Sequence, residues 1–165
     1  MTQDDSATLT PGENVPPGEN VTLGENVTLG ERTRGPVTRV QIARYAGAVG
    51  DFNPVHVDDE FARASGLPSV IAHGPLTVTL ALDAVVEQLG PQALRSAKAR
   101  LSAPVFPGDE LTVVPTADGV EVRKADGTVA ATVRLETVNP ETVNPETVNP
   151  ETGQPATAPE AAGTR

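Results

Sequence analysis

Pro75-Leu76-Thr77-Val78-Thr79-Leu80-Ala81-Leu82-Asp83-Ala84-Val85-Val86-Glu87-Gln88-Leu89, closed by Gly90-Pro91, is the stretch on which the fold turns. Proline suits the first turn of a helix, where its missing N–H would have no partner anyway, and Gly-Pro stops the run. Only Asp83, Glu87 and Gln88 interrupt an apolar surface carried by Leu, Val and Ala, so other structure should wrap this helix on most sides. The wrapping follows directly. Strand-like runs span roughly Leu94 to Phe106, Leu111 to Thr116, Gly119 to Lys124 and Thr128 to Leu135, punctuated by Pro107-Gly108-Asp109, Ala117-Asp118 and Ala125-Asp126-Gly127. Turns this short imply an antiparallel meander, and one apolar helix followed by such a sheet is an α+β arrangement with the sheet curled around the helix.

Working outward, Thr38 is placed to cap a helix bearing Val40, Ile42, Ala43, Tyr45 and Ala46 on one face and stopping between Gly47 and Gly50. A second short helix is expected from Asp58, the capping residue, to Gly66, with Asp59 and Glu60 favouring its dipole. Low-complexity segments flank this middle. Gly-Glu-Asn-Val recurs from Gly12, Gly18 and Gly24, and Glu-Thr-Val-Asn-Pro from Glu136, Glu141 and Glu146. The organisation expected is therefore a repeat-containing segment over 1–34, one domain over 35–135 and a Pro-rich tail over 136–165, both ends extended or disordered.

Charge supports that division. Residues 1–34 hold six acids against Arg32 and Arg34, and residues 136–165 hold five against Arg165. The middle keeps 11 acids and 9 bases, a near-neutral domain without the clustered Lys and Arg of a nucleic-acid surface. The chain has no cysteine, hence no disulfide framework, thiol nucleophile or thiolate metal site. The polar start Met1-Thr2-Gln3-Asp4-Asp5 has no apolar run after it, and no stretch reaches a membrane span, so a cytoplasmic location away from membranes is expected. With four aromatics (Tyr45, Phe52, Phe61, Phe106), the core must be aliphatic, and so small a domain gains by burying surface in a partner subunit.

Chemistry is concentrated in Asp51-Phe52-Asn53-Pro54-Val55-His56. Pro54 holds Asn53 extended and is expected to exclude a helical path, so that a turn brings Asp51 and His56 together. A carboxylate and an imidazole converging on one point can move protons around a single water. Taken alone, Asp51 and Asn53 read more readily as a turn former or cap and its Asx-turn partner than as a proton-moving site. A second element is Ile71-Ala72-His73-Gly74-Pro75. Glycine at a helix start allows close approach, and the first-turn N–H groups at the positive dipole end suit a developing oxyanion, which marks His73 and Gly74 as candidate oxyanion and substrate-binding residues. The spacing of His56, His73, Asp51 and Asp58 matches no metal motif, so no metal is expected. Lys98, Arg100, Arg123 and Lys124 offer themselves to a carrier's phosphates, or simply to solvent on strand faces.

Tyr45 through Asp58, together with Phe61-Ala62, Gly66-Leu67-Pro68, Ile71-Ala72-His73-Gly74 and Pro104-Val105-Phe106-Pro107-Gly108-Asp109, resembles the MaoC-like dehydratase family. That family includes the (R)-specific enoyl-CoA hydratases (hydratase 2) and the actinobacterial HadB-type (3R)-hydroxyacyl-ACP dehydratase subunits. The resemblance implies a hot-dog fold, a homodimer or a heterodimer with a second hot-dog subunit, and a CoA or ACP thioester as substrate with no metal or redox cofactor. It implies Asp51 and His56 as the acid–base pair, Asn53 as the residue that positions the water, and the Gly74 N–H as the thioester oxygen's partner. The activity implied is reversible syn hydration of trans-2-enoyl thioesters to (R)-3-hydroxyacyl thioesters. A non-catalytic hot-dog subunit and a thioesterase are the alternatives. One departure stands out: the family usually has Met after His-Gly, and here Pro75 removes any backbone donor at that position.

Overall fold

A computed structural model describes residues 20–23 and 27–138. The long helix appears where the sequence put it, as one of four. These are α1 (Arg39–Val49), α2 (Pro54–Val57), α3 (Asp59–Ala64) and α4 (Gly74–Leu89), with a single 3₁₀ turn at Pro91–Ala93. Seven strands accompany them: β1 (Val21–Leu23), β2 (Val27–Leu29), β3 (Arg32–Arg34), β4 (Leu94–Leu101), β5 (Leu111–Thr116), β6 (Gly119–Lys124) and β7 (Val129–Thr137). The last five strands form one sheet in the order β3-β5-β6-β7-β4, antiparallel throughout.

Helix α4 packs on this sheet through Leu76, Ala81, Ala84 and Val85, which join Val113, Val120, Val122, Ala131 and Val133 in one buried cluster. This is the expected α+β, hot-dog arrangement. Its core is aliphatic: no Phe or Tyr is fully buried. No helix among the described residues is long and apolar enough to cross a membrane.

Three local outcomes differ from the sequence reading. Val21–Leu23, Val27–Leu29 and Arg32–Arg34, within a segment expected to be extended or disordered, are strands. The Val-Thr-Leu repeat supplies the alternation that a hairpin needs, pairing Val21 with Leu29, both fully buried. Gly30 N–H then bonds Gln88 of α4 (2.8 Å), and Arg34 pairs with Glu87 (2.8 Å). Low-complexity composition hid strands that clasp the central helix. Second, Pro54 does not exclude helix but starts one: it is the first residue of α2, with the Asn53 side chain capping Val55 N–H. Third, β4 stops at Leu101, because the chain turns away through Pro104 and Pro107. Residues 1–19, 24–26 and 139–165, which hold most of both sets of repeats, lie outside the described residues.

Candidate active site

Local capping delivers Asp51. Helix α1 begins at a capping box in which Thr38 and Gln41 bond each other's backbone N–H. It ends at Gly50, whose left-handed φ of 72° lets the N–H groups of Gly50 and Asp51 fold back to the Ala46 carbonyl. The next turn is closed by Asp51 itself: its Oδ1 accepts from Asn53 N–H (3.2 Å), and Asn53 Oδ1 accepts from Val55 N–H (3.3 Å). One short turn of α2 then presents His56. Asp58 caps α3 by accepting from Glu60 and Phe61 N–H, as expected.

The two histidines meet face to face. Their ring centroids are 3.7 Å apart with planes at 25°, and Tyr45 lies 5.1 Å from His73 on another side. Each ring is oriented by a backbone carbonyl, which can only accept. His56 Nδ1 therefore donates to the Ile71 carbonyl (2.8 Å), leaving Nε2 as its basic atom. His73 Nε2 donates to the Asp51 carbonyl (3.0 Å) and lies 3.9 Å from the Asp51 carboxylate. A carboxylate oxygen of Asp51 and one ring nitrogen of each histidine all fall within 4.8 Å of one another.

The structure thus brings together Asp51, His56 and His73, a trio the sequence treated as two separate elements. His73 takes a different position from the one expected of a substrate-binding residue. Its ring is buried beneath the pair and reaches Asp51, not the cleft. The trio is also the only group of candidate cation ligands among the described residues. A tetrahedral ion would need donors about 3.3 Å apart and aimed at one point. Cofacial imidazoles send their lone pairs side by side, and His73 Nε2 already carries the proton that holds Asp51, so the arrangement suits a water better than an ion.

Gly74 opens α4, and its N–H has no intrahelical acceptor. It lines a cleft of about 260 Å³ with Ile71, Thr77, Leu101, Ser102 and Val105. A methyl group at position 74 would meet Leu101 Cδ1, the tip of a half-exposed side chain, so the end of β4 packs into the room that glycine leaves. Long-range bonds hold this wall: Ala72 N–H to Val105 carbonyl (2.8 Å) and Ile71 N–H to Val55 carbonyl (3.1 Å). The segment 104–109 is itself braced by Asp109, which accepts from Phe106 N–H and pairs with Lys124 (2.7 Å). Of the four cations noted in the sequence, Lys124 and Arg123 are in ion pairs, while Lys98 and Arg100 lie exposed on β4. Thr77 belongs to no motif that marks it in the sequence. Its signal was periodicity, since Thr77, Ala81, Ala84 and Val85 form one stripe, which places a hydroxyl on the buried face of α4.

The family model described as MaoC like domain matches residues 21–139. The chain is 36% identical over 76 residues to peroxisomal enoyl-CoA hydratase 2 of Arabidopsis thaliana, a match covering 44% of this chain and 25% of that protein. It is 36% identical over 98 residues to 3-hydroxyacyl-thioester dehydratase X of Mycobacterium tuberculosis, covering 59% and 32%. The match therefore spans about a quarter to a third of the length of these relatives. Among solved structures, the unliganded R-hydratase PhaJ1 of Pseudomonas aeruginosa superposes with a TM-score of 0.60 at 25% identity, over 76% of this chain and 83% of that one. With its helix, sheet and Asp51-to-Gly74 segment all inside the matched region, the chain belongs to the MaoC-like domain family.

Proposed function

We propose that this chain adds water reversibly and syn to trans-2-enoyl thioesters, giving (R)-3-hydroxyacyl thioesters, with the acyl group carried on CoA or an acyl carrier protein. The observation that carries this reading is the Asp51–His56 pair gathered on His73, the residue just before a helix whose first residue, Gly74, lines an apolar cleft. The names of the relatives agree with it, and the hand of the product follows the likeness to an R-hydratase.

Asp51 and His56 hold one water between them. Its oxygen bonds C3 as its proton passes to the pair, His56 Nε2 being the available lone pair. The C2–C3 π electrons shift to the thioester oxygen, and that enolate is stabilised by Gly74 N–H and the positive end of α4. A proton returned from the pair to C2 on the same face completes syn addition. Asn53 contributes its amide N–H₂ to the water, because its Oδ1 is held by Val55. His73 is a positioning residue behind the pair. The sequence requires only proton transfer and an oxyanion site, so no metal or redox cofactor enters it.

A second hot-dog subunit completes the site. Phe52, Val57, Phe61 and Leu101 are each 45–61% exposed around it, and β4 is a sheet edge with Ala97, Ala99 and Leu101 uncovered. Light scattering should give at least twice the 17.0 kDa chain mass; a fully active monomer would rule this out.

The deciding assay is loss of enoyl absorbance from crotonyl-CoA, with chiral analysis of the product. Asp51→Asn should lower kcat by about 10²- to 10⁴-fold. If wild type and Asp51→Asn turn over alike, the proposal is wrong.

A further inference from the structure

We propose that the Thr77 hydroxyl is the second hydrogen-bond donor to the thioester oxygen, sharing the developing enolate with Gly74 N–H. The inference rests on the hydratase reading and names a substrate-contacting residue that this reading leaves out.

The start of α4 is short of hydrogen-bond donors. Enolate stabilisation is strongest when two or more fixed donors converge on the oxygen. Gly74 supplies one N–H, and Pro75 has none. The N–H groups of Leu76 (3.0 Å) and Thr77 (3.3 Å) are both drawn back to the His73 carbonyl. The first turn therefore leaves a single backbone donor for a ligand.

A side-chain donor is in place to make up the deficit. Among the described residues just two polar side chains are buried, His73 and Thr77, 2% and 3% exposed, and they bracket Gly74. Thr77 lies one turn beyond Gly74 on the same face, and side chains in a helix lean toward its N-terminus, so Thr77 leans over Gly74. Both residues line the cleft. Thr79, two residues on, folds its hydroxyl onto the Pro75 carbonyl (3.0 Å), whereas the Thr77 hydroxyl makes no such bond to His73 or to any other described residue. Nor is that oxygen sealed off, since His73 Nδ1 is the one fully buried side-chain polar atom left without a partner. A hydroxyl held in an otherwise apolar stripe without a protein partner, and reachable from the cleft, is available to bond a ligand oxygen there. Ser102, on the opposite wall, is exposed to solvent and is the competing donor.

The experiment compares wild type, Thr77→Val, Thr77→Ser, Ser102→Ala and Asp51→Asn. It uses turnover of crotonyl-CoA and, separately, the absorbance of bound 2,4-hexadienoyl-CoA, which shifts to the red when its carbonyl oxygen is hydrogen-bonded. Thr77→Val keeps the shape and removes the hydroxyl. It should lower kcat about 10- to 100-fold with KM within about threefold, and lose most of the red shift. Thr77→Ser should retain both, which separates the hydroxyl from packing. Asp51→Asn should lose turnover yet keep the shift. Thr77→Val matching wild type in both readouts, or Ser102→Ala abolishing the shift in its place, overturns the inference and leaves the hydratase reading intact. A wild type that neither turns over crotonyl-CoA nor shifts the dienoyl probe overturns the hydratase reading, and this inference with it.

Discussion

The two walls of the site are built in opposite ways. The Asp51–His56 wall is exposed from Asp51 to Pro54 and half-buried at His56, and its Asp51–Asn53–Val55 turn is closed by bonds between residues two apart. The His73–Thr77 wall is largely buried and held by bonds that cross the fold, from Ala72 to Val105 and from Ile71 to Val55. The division fits the chemistry proposed for each. Groups that exchange protons with a water must be reachable, and a local turn can preset their geometry. Donors to an enolate act more strongly away from bulk water, and only tertiary packing provides that environment.

If the walls divide the labour this way, substitutions on them should fail differently. His56→Ala should have the largest effect on rate, lowering kcat about 10²- to 10⁴-fold for about 1 kcal/mol of stability, the cost of its bond to the Ile71 carbonyl. His73 belongs to the buried wall and reaches the chemistry only through Asp51. His73→Phe keeps a flat ring against His56 but loses the Nε2 donor to the Asp51 carbonyl. It should cost about 1 kcal/mol of stability and roughly tenfold in kcat, and His73→Gln, which retains a donor near that position, should recover part of both. Should His56→Ala unfold the domain while His73→Phe leaves stability untouched, the division between walls is wrong.

The exposed wall was legible in the sequence because it is local. Gly50 ending a helix, Asp51 bonding the backbone two residues on, and Asn53 capping at Pro54 are all interactions between near neighbours. Even there one detail was misjudged, for Pro54 forbids helix behind it but not ahead of it. The buried wall was legible only in its first residue. That Gly74 starts a helix follows from Pro75; that Leu101 lies against it depends on where β4 ends, and the His56–His73 stack depends on a 17-residue separation closing in space. The same limit applied to the clasp around α4. Val21 and Leu29 are core residues because of the sheet and helix they meet, and repetitive composition gave no hint of that partner.

A residue behind both walls, on α3, offers the smallest effect. Asp59, at the start of α3, accepts from Val70 N–H (3.1 Å) on the segment leading to His73, pairs with Arg39 of α1 (2.9 Å) and lies 3.8 Å from Arg63. The hydrogen bond with Arg39, then the one from Val70, holds its carboxyl below the ordinary value of 3.8. A carboxylate whose pKa is lower in the folded than in the unfolded state adds stability that is fully present above the unfolded value and is lost as pH falls through the folded one. The gap in melting temperature between wild type and Asp59→Asn should therefore be constant from neutral pH down to mildly acidic pH and close below 3.8. Because Asp59 touches neither the reacting atoms nor the cleft, kcat near neutral pH should change by less than about threefold. A melting gap that persists unchanged in strong acid would mean that the Asn amide, not the lost charge, is responsible. A large fall in kcat would mean that the walls are coupled through this tie, and that the exposed pair depends on more than its own turn.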